Sequence, residues 1–84
     1  MPVAYITGAT SGIGRATAER FIEEGWTVVA MARREERLQE LQDAHPGSVH
    51  CFKLDVRDKA AVEHVFSEAK ELFGAPDVLV NNAG

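Results

Sequence analysis

The sequence has 84 residues, which is room for one small domain with a thin core. Its apolar share of 45% and charged share of 26% belong to an ordinary globular chain rather than a disordered one. The net charge of -4 argues against nucleic acid as a partner, because the only basic concentration, Arg33, Arg34 and Arg37, is interleaved with Glu35 and Glu36.

Residues 3–6 are short, apolar and bounded by β-branched side chains, the pattern of a buried parallel strand. A glycine-rich stretch from Gly8 to Gly14 breaks it. A helix follows from Ile13, with Ile13, Thr17, Phe21 and Ile22 expected on its buried face and Gly25 as its left-handed end. Residues 27–31 predict a second strand. Residues 34–44 predict a polar helix buried through Leu38 and Leu41, stopped by His45, Pro46 and Gly47. Residues 49–54 predict a third strand containing Cys51, which reads as a small core residue; as the single cysteine it can form no intrachain disulfide. Asp58 predicts the cap of a third helix carrying Val62, Val65, Phe66, Ala69, Leu72 and Phe73, ended by Gly74 and Pro76. Val78, Leu79 and Val80 predict a fourth strand that runs into Asn81, Asn82, Ala83 and Gly84.

The expected fold class is therefore α/β, a Rossmann-type parallel sheet in a βαβαβαβ arrangement, with four strands in the order 3-2-1-4 and three helices. Residues 1–84 read as a single, incomplete domain. Three consecutive branched apolar residues suit a strand covered on both sides, yet the fourth strand would be a bare edge, so the sequence reads as the front of a longer protein. No charged-then-apolar leader precedes the first strand and no apolar run approaches membrane length, so a cytoplasmic protein without membrane contact is expected. His45, His50 and His64 lack metal-ligand spacing, and no metal site is expected.

The glycine stretch carries the chemistry. In Thr7-Gly8-Ala9-Thr10-Ser11-Gly12-Ile13-Gly14 the glycines serve a tight turn, close approach of backbone to phosphate, and helix-strand packing; the helix start then offers its amides and dipole to a pyrophosphate. Gly8, Thr10, Ser11, Gly12, Ile13 and Gly14 are thus candidate cofactor contacts. The end of the second strand selects between cofactors. An NAD site places a carboxylate there for the ribose 2′-hydroxyl, whereas this sequence has Ala32 followed by Arg33 and Arg34. A guanidinium fork suits a 2′-phosphate, so NADP(H) is the expected cofactor and NAD(H) the alternative, with Arg33 the first candidate, Arg34 beside it, and the Ser11 hydroxyl as a further contact.

With these residues in view, the chain resembles the short-chain dehydrogenases/reductases. Thr7-Gly8-x-x-x-Gly12-x-Gly14 is similar to that family's cofactor motif, and Asn81-Asn82-Ala83-Gly84 to its second signature. The resemblance implies that Asp55 and Val56 contact adenine and that Asn81, Ala83 and Gly84 run beside the ribose. Residues 33–41 resemble members acting on small 3-hydroxy acids and serine-like alcohols. It further implies hydride transfer between nicotinamide and a small carbonyl or secondary alcohol, in a homo-oligomer.

The family's catalytic Tyr-x-x-x-Lys is not found here: the single tyrosine, Tyr5, is followed four positions later by Ala9, so no catalytic residue is named. The chain by itself is expected not to turn over substrate. Two other functions stay open, a non-catalytic nucleotide-binding module and a ligand-free fragment that self-associates through its fourth strand.

Overall fold

In a computed structural model, which describes residues 1–82, the chain forms β1 (Val3–Thr7), α1 (Gly12–Glu23), β2 (Thr27–Ala32), α2 (Glu35–Ala44), β3 (Val49–Lys53), α3 (Lys59–Phe73) and β4 (Val78–Asn81). The strands make one parallel sheet in the order β3-β2-β1-β4, as expected from the alternation of strand and helix. β1 is buried at every residue and β2 at every residue after Thr27, because both lie inside the sheet. β4 is half-open, with Leu79 exposed.

Side chains alternate across the pleat, and each helix closes one set. Ile6, Val28, Ala30 and Ala32 pack with Leu38 and Leu41 of α2 and Ala18 of α1. Tyr5, Val29 and Met31 point the other way, onto Val65 and Ala69 of α3. The strand order reverses direction after β3. With the crossover hand fixed by strand twist, that reversal puts α3 on the face opposite α1 and α2. It also leaves a crevice at the carboxyl ends of β1 and β4, where the order switches.

Two helix faces differ from their sequence expectation. Ile13 is 76% exposed and Leu72 62% exposed. The buried stripe of α1 is made by Gly14 and Ala18, with Phe21 and Ile22 partly covered behind them. Small residues win this face because α1 lies close against the sheet, and apolar counting weights the larger Ile13 over them. In α3 the stripe is Val65 and Ala69, with Val62, Phe66 and Phe73 partly buried, and Leu72 falls outside it. The third strand ends at Lys53, one residue earlier than expected, although Leu54 remains buried.

Polar ties fix the start of β4 against β1. The Val3 amide donates to Asp77 Oδ2 at 2.8 Å and the Asp77 amide returns a bond to the Val3 carbonyl at 2.8 Å. The Tyr5 hydroxyl, buried between sheet and α3 with its ring edge-on to Phe66, donates to the Gly74 carbonyl at 2.6 Å. Burial pushes its pKa up from the usual phenol value. Cys51 donates its thiol to the Leu38 carbonyl at 3.5 Å, and burial pushes it up to about 11, so it is not a thiolate at neutral pH. Tyr5→Phe keeps the packing but strips the Gly74 carbonyl of its donor. It should lower stability by about 1 kcal/mol, read as a lower urea midpoint at unchanged slope.

Candidate cofactor site

The loop between β1 and α1 turns at Gly8, whose φ of +63° lies in the left-handed region that glycine occupies without steric cost. Its carbonyl accepts the Ser11 amide at 3.2 Å and the Ser11 hydroxyl at 2.9 Å, closing the turn. The same carbonyl stands where a side chain on Gly14 would be: a Cβ there would collide with Gly8 O and come within 2.6 Å of Asn82 Nδ2. Gly14 is therefore a packing residue, buried under the loop. At Gly12 a Cβ would meet nothing within 4 Å, because that position faces open space.

Helix starts carry unpaired amides, and α1 has neither a side-chain cap nor an acidic first turn, where each of its neighbours has one of the two. In α3 the Asp58 carboxylate accepts from the Ala61 amide at 3.1 Å, and α2 has Glu35 and Glu36 in its first turn. The first turn of α1 has no acidic residue, and its cap, Ser11, makes no side-chain capping bond. The Ser11 hydroxyl is held instead by Gly8 O and by Asn82 Nδ2, the latter at 2.8 Å. The positive end of the α1 dipole is thus presented, uncompensated, beside an open glycine.

That space is a cleft of about 590 Å³ at the carboxyl ends of the strands. Gly8, Thr10, Ser11 and Gly12 form one wall. Ala32 closes the end of β2, and Arg33, Arg34 and Arg37 follow it, all exposed. Leu54, Asp55, Val56 and Arg57 line the far side, and Asn82 the floor. Four arginines thus line the cleft against one aspartate, in a chain whose net charge is -4. That carboxylate, Asp55, takes a fork from the Arg57 guanidinium at 2.8 and 3.0 Å. Arg57, through both side-chain and backbone bonds, holds the Asp55 carboxyl well below the usual carboxylate range.

Of the residues singled out in the sequence, Gly8, Thr10, Ser11, Gly12, Arg33, Arg34, Asp55 and Val56 share this cleft. Ile13 and Gly14 do not line it. The Ile13 side chain lies with Thr17, Phe21 and Trp26 on the outer face of α1, away from the loop wall. Asn81, exposed at the end of β4, does not line the cleft; Thr7 Oγ1 donates to its Oδ1 at 2.9 Å. Ala83 and Gly84 lie outside the described residues. The Ser11 hydroxyl donates to Gly8 O and accepts from Asn82 Nδ2, which ties the loop to the end of β4.

Three participants were not singled out. Asn82 bridges Gly8 and Ser11 from the end of β4. Arg37 lines the cleft from the first turn of α2, close after Arg33 and Arg34, which precede the helix. Arg57 reaches the cleft through a turn in which the Asp58 amide donates to the Asp55 carbonyl at 3.0 Å, and no periodicity signals it. Among the described residues no group of three or more His, Cys, Asp and Glu is placed to hold a metal ion, and no helix is long and apolar enough to cross a membrane.

Comparison with known proteins identifies a family for the chain. The short chain dehydrogenase family model matches residues 2–84. A sulfoacetaldehyde reductase from Chromohalobacter salexigens is 50% identical over 98% of this chain, and an NADP-dependent 3-hydroxy acid dehydrogenase from Escherichia coli is 43% identical over 98% of it. Among solved structures, a closed serine dehydrogenase complexed with NADP+ superimposes with a TM-score of 0.92 at 43% identity, covering 98% of this chain and 33% of that one. A short-chain dehydrogenase from Streptomyces avermitilis superimposes with a TM-score of 0.93 at 43% identity, over 99% of this chain and 31% of its own. The chain spans about a third of the length of the curated relatives it matches, 33% in both cases above.

The two glycines should separate fold from binding. Gly14→Ala should cost about 1–3 kcal/mol of stability by overpacking against the Gly8 carbonyl. Gly12→Ala should leave the melting curve unchanged or slightly raised and still weaken nucleotide binding, because its methyl enters the cleft. Thermal melts paired with nucleotide titrations read both effects.

Proposed function

The chain belongs to the short-chain dehydrogenase family, and we propose that it is the cofactor-binding portion of an oxidoreductase that prefers NADP(H) over NAD(H). The observation that carries the preference is the end of β2. Ala32 is buried where an NAD site has its carboxylate, and Arg33, Arg34 and Arg37 follow on the cleft wall. A 2′-phosphate placed there meets planar forks able to bond two oxygens at once, with no acid on that wall to repel it. The related 3-hydroxy acid dehydrogenase, named as NADP-dependent, and the NADP+ complex of serine dehydrogenase support the same choice.

The division of labour follows from the site. The uncapped amides at the start of α1 hold the pyrophosphate, while the guanidiniums after β2 hold the adenosine phosphate. Asp55 and Val56 line the adenine end, and the family resemblance assigns Asn81, Ala83 and Gly84 to the cofactor's ribose. The bound nicotinamide supplies hydride chemistry; these residues bind and orient it. None of the described side chains is placed as the acid or base for the substrate. Tyr5, the single tyrosine, is buried with its hydroxyl on Gly74, on the α3 side of the sheet.

The substrate is a small carbonyl compound or alcohol that bears an acidic group. The names of the relatives, a sulfoacetaldehyde reductase and a 3-hydroxy acid dehydrogenase, support that class. A cytoplasmic homo-oligomer acting on small molecules completes the proposal.

The test is selectivity at the end of β2. Arg33→Asp should weaken NADPH binding about tenfold or more while leaving NADH within about twofold, measured by calorimetry. Equal loss of both nucleotides would remove the 2′-phosphate assignment.

A further inference from the structure

The side chains of β4 do little to choose its register. The strand pairs with β1 from Ala4 with Val78 to Thr7 with Asn81, and it lies at the end of the described sheet. Val78 and Val80 are half-buried on one face, and Leu79 is exposed on the other. Three branched apolar residues in a row suit either face, so alternation specifies the pairing weakly. A slip of one residue would turn the strand over. A slip of two would keep its faces and carry Asn82 about 7 Å along β1.

What fixes the register is polar and sits at the two ends. At the carboxyl end, Thr7 Oγ1 donates to Asn81 and accepts the Asn82 amide, and Asn82 Nδ2 donates to the Gly8 carbonyl at 3.2 Å and to Ser11 Oγ at 2.8 Å. At the amino end, one position before the first pair, Val3 turns both backbone groups to Asp77. The Asp77 amide donates to the Val3 carbonyl and Asp77 Oδ2 accepts the Val3 amide, each at 2.8 Å. The carboxylate stands in for the carbonyl that a longer β4 would offer, and Val3 is buried, so its amide needs that acceptor. Between Gly74 and Asn81, Asp77 is the only residue with a polar side chain, so no slipped register can remake the contact.

We propose that Asp77 is a positioning residue for the cofactor loop: by locking the register of β4 it sets where Asn82 meets Gly8 and Ser11. Asp77 does not line the cleft, and it acts from the opposite end of the strand, about 16 Å from Asn82. Losing the lock leaves the buried centre of the sheet, β1 and β2, in place. It lets β4 leave its register, and the loop then stands without Asn82 for part of the time. Nucleotide affinity falls in proportion to the fraction of chains that keep the register. The effect on binding rests on the dinucleotide reading above, whereas the effect on Asn82 does not.

The test is a double-mutant cycle on the full chain, read by calorimetric titration with NADP+ below the melting transition of every variant. Asp77→Ala should weaken NADP+ about three- to tenfold. Asp77→Asn keeps an acceptor oxygen on the same stem and should stay within about twofold of the unaltered chain. With Asn82→Ala already present, Asp77→Ala should add less than about a twofold loss, because the residue it acts through is gone. In the nucleotide-free chain, the Asn82 side-chain amide resonances should shift or broaden in Asp77→Ala and return in Asp77→Asn. Asn82 resonances that stay fixed in Asp77→Ala, or an equal loss of affinity with and without Asn82, overturn the proposal. If the unaltered chain binds no NADP+, the cofactor reading falls, and the Asn82 resonances alone decide the lock.

Discussion

The Gly8 carbonyl occupies the space that a side chain at Gly14 would fill, and the site is arranged around that contact. It lets α1 start hard against the loop, so the helix axis aims its first turn into the crevice beside β1. Asn82 sits on the same carbonyl and on Ser11, which couples the loop to the end of β4. Thr7 strengthens the coupling, donating to Asn81 and accepting the Asn82 amide at 3.1 Å. The crevice thus depends on strand order as much as on glycine. With β4 elsewhere, the loop would lose its floor.

Charge is distributed to match. The chain as a whole is acidic, yet the cleft gathers guanidiniums and an uncapped helix start. Capping α1 would satisfy its amides internally and leave less for an anion. The other two helices carry a cap or acidic first-turn residues, and α1 goes without. Stability left unclaimed at one helix end is what a phosphate can recover on binding.

Much of this was legible in the sequence, for identifiable reasons. Parallel buried strands read as continuous apolar runs, which marked β1 and β2, and the alternation with helices constrained the strand order. Glycine spacing located the loop, and the Ala32-Arg33 junction located the basic wall. What escaped had no periodic signature. Ala18 joins Gly14 on the inner stripe of α1 because it is small, whereas apolar weighting favours Ile13. Asn82 matters through where its side-chain amide reaches, to Gly8 and Ser11, while its neighbour Asn81 accepts from Thr7. The pairing of Asp55 with Arg57 depends on a turn whose geometry no spacing rule encodes.

The most direct test of a helix start that receives a pyrophosphate is to follow the backbone amide resonances of the isotopically labelled chain by NMR while NADP+ is added. The account predicts the largest shifts at Gly12, Ile13 and Gly14 and at the side-chain amide of Asn82. Loop resonances that stay fixed while the nucleotide perturbs another surface, such as the outer face of α1 around Phe21 and Trp26, would contradict it.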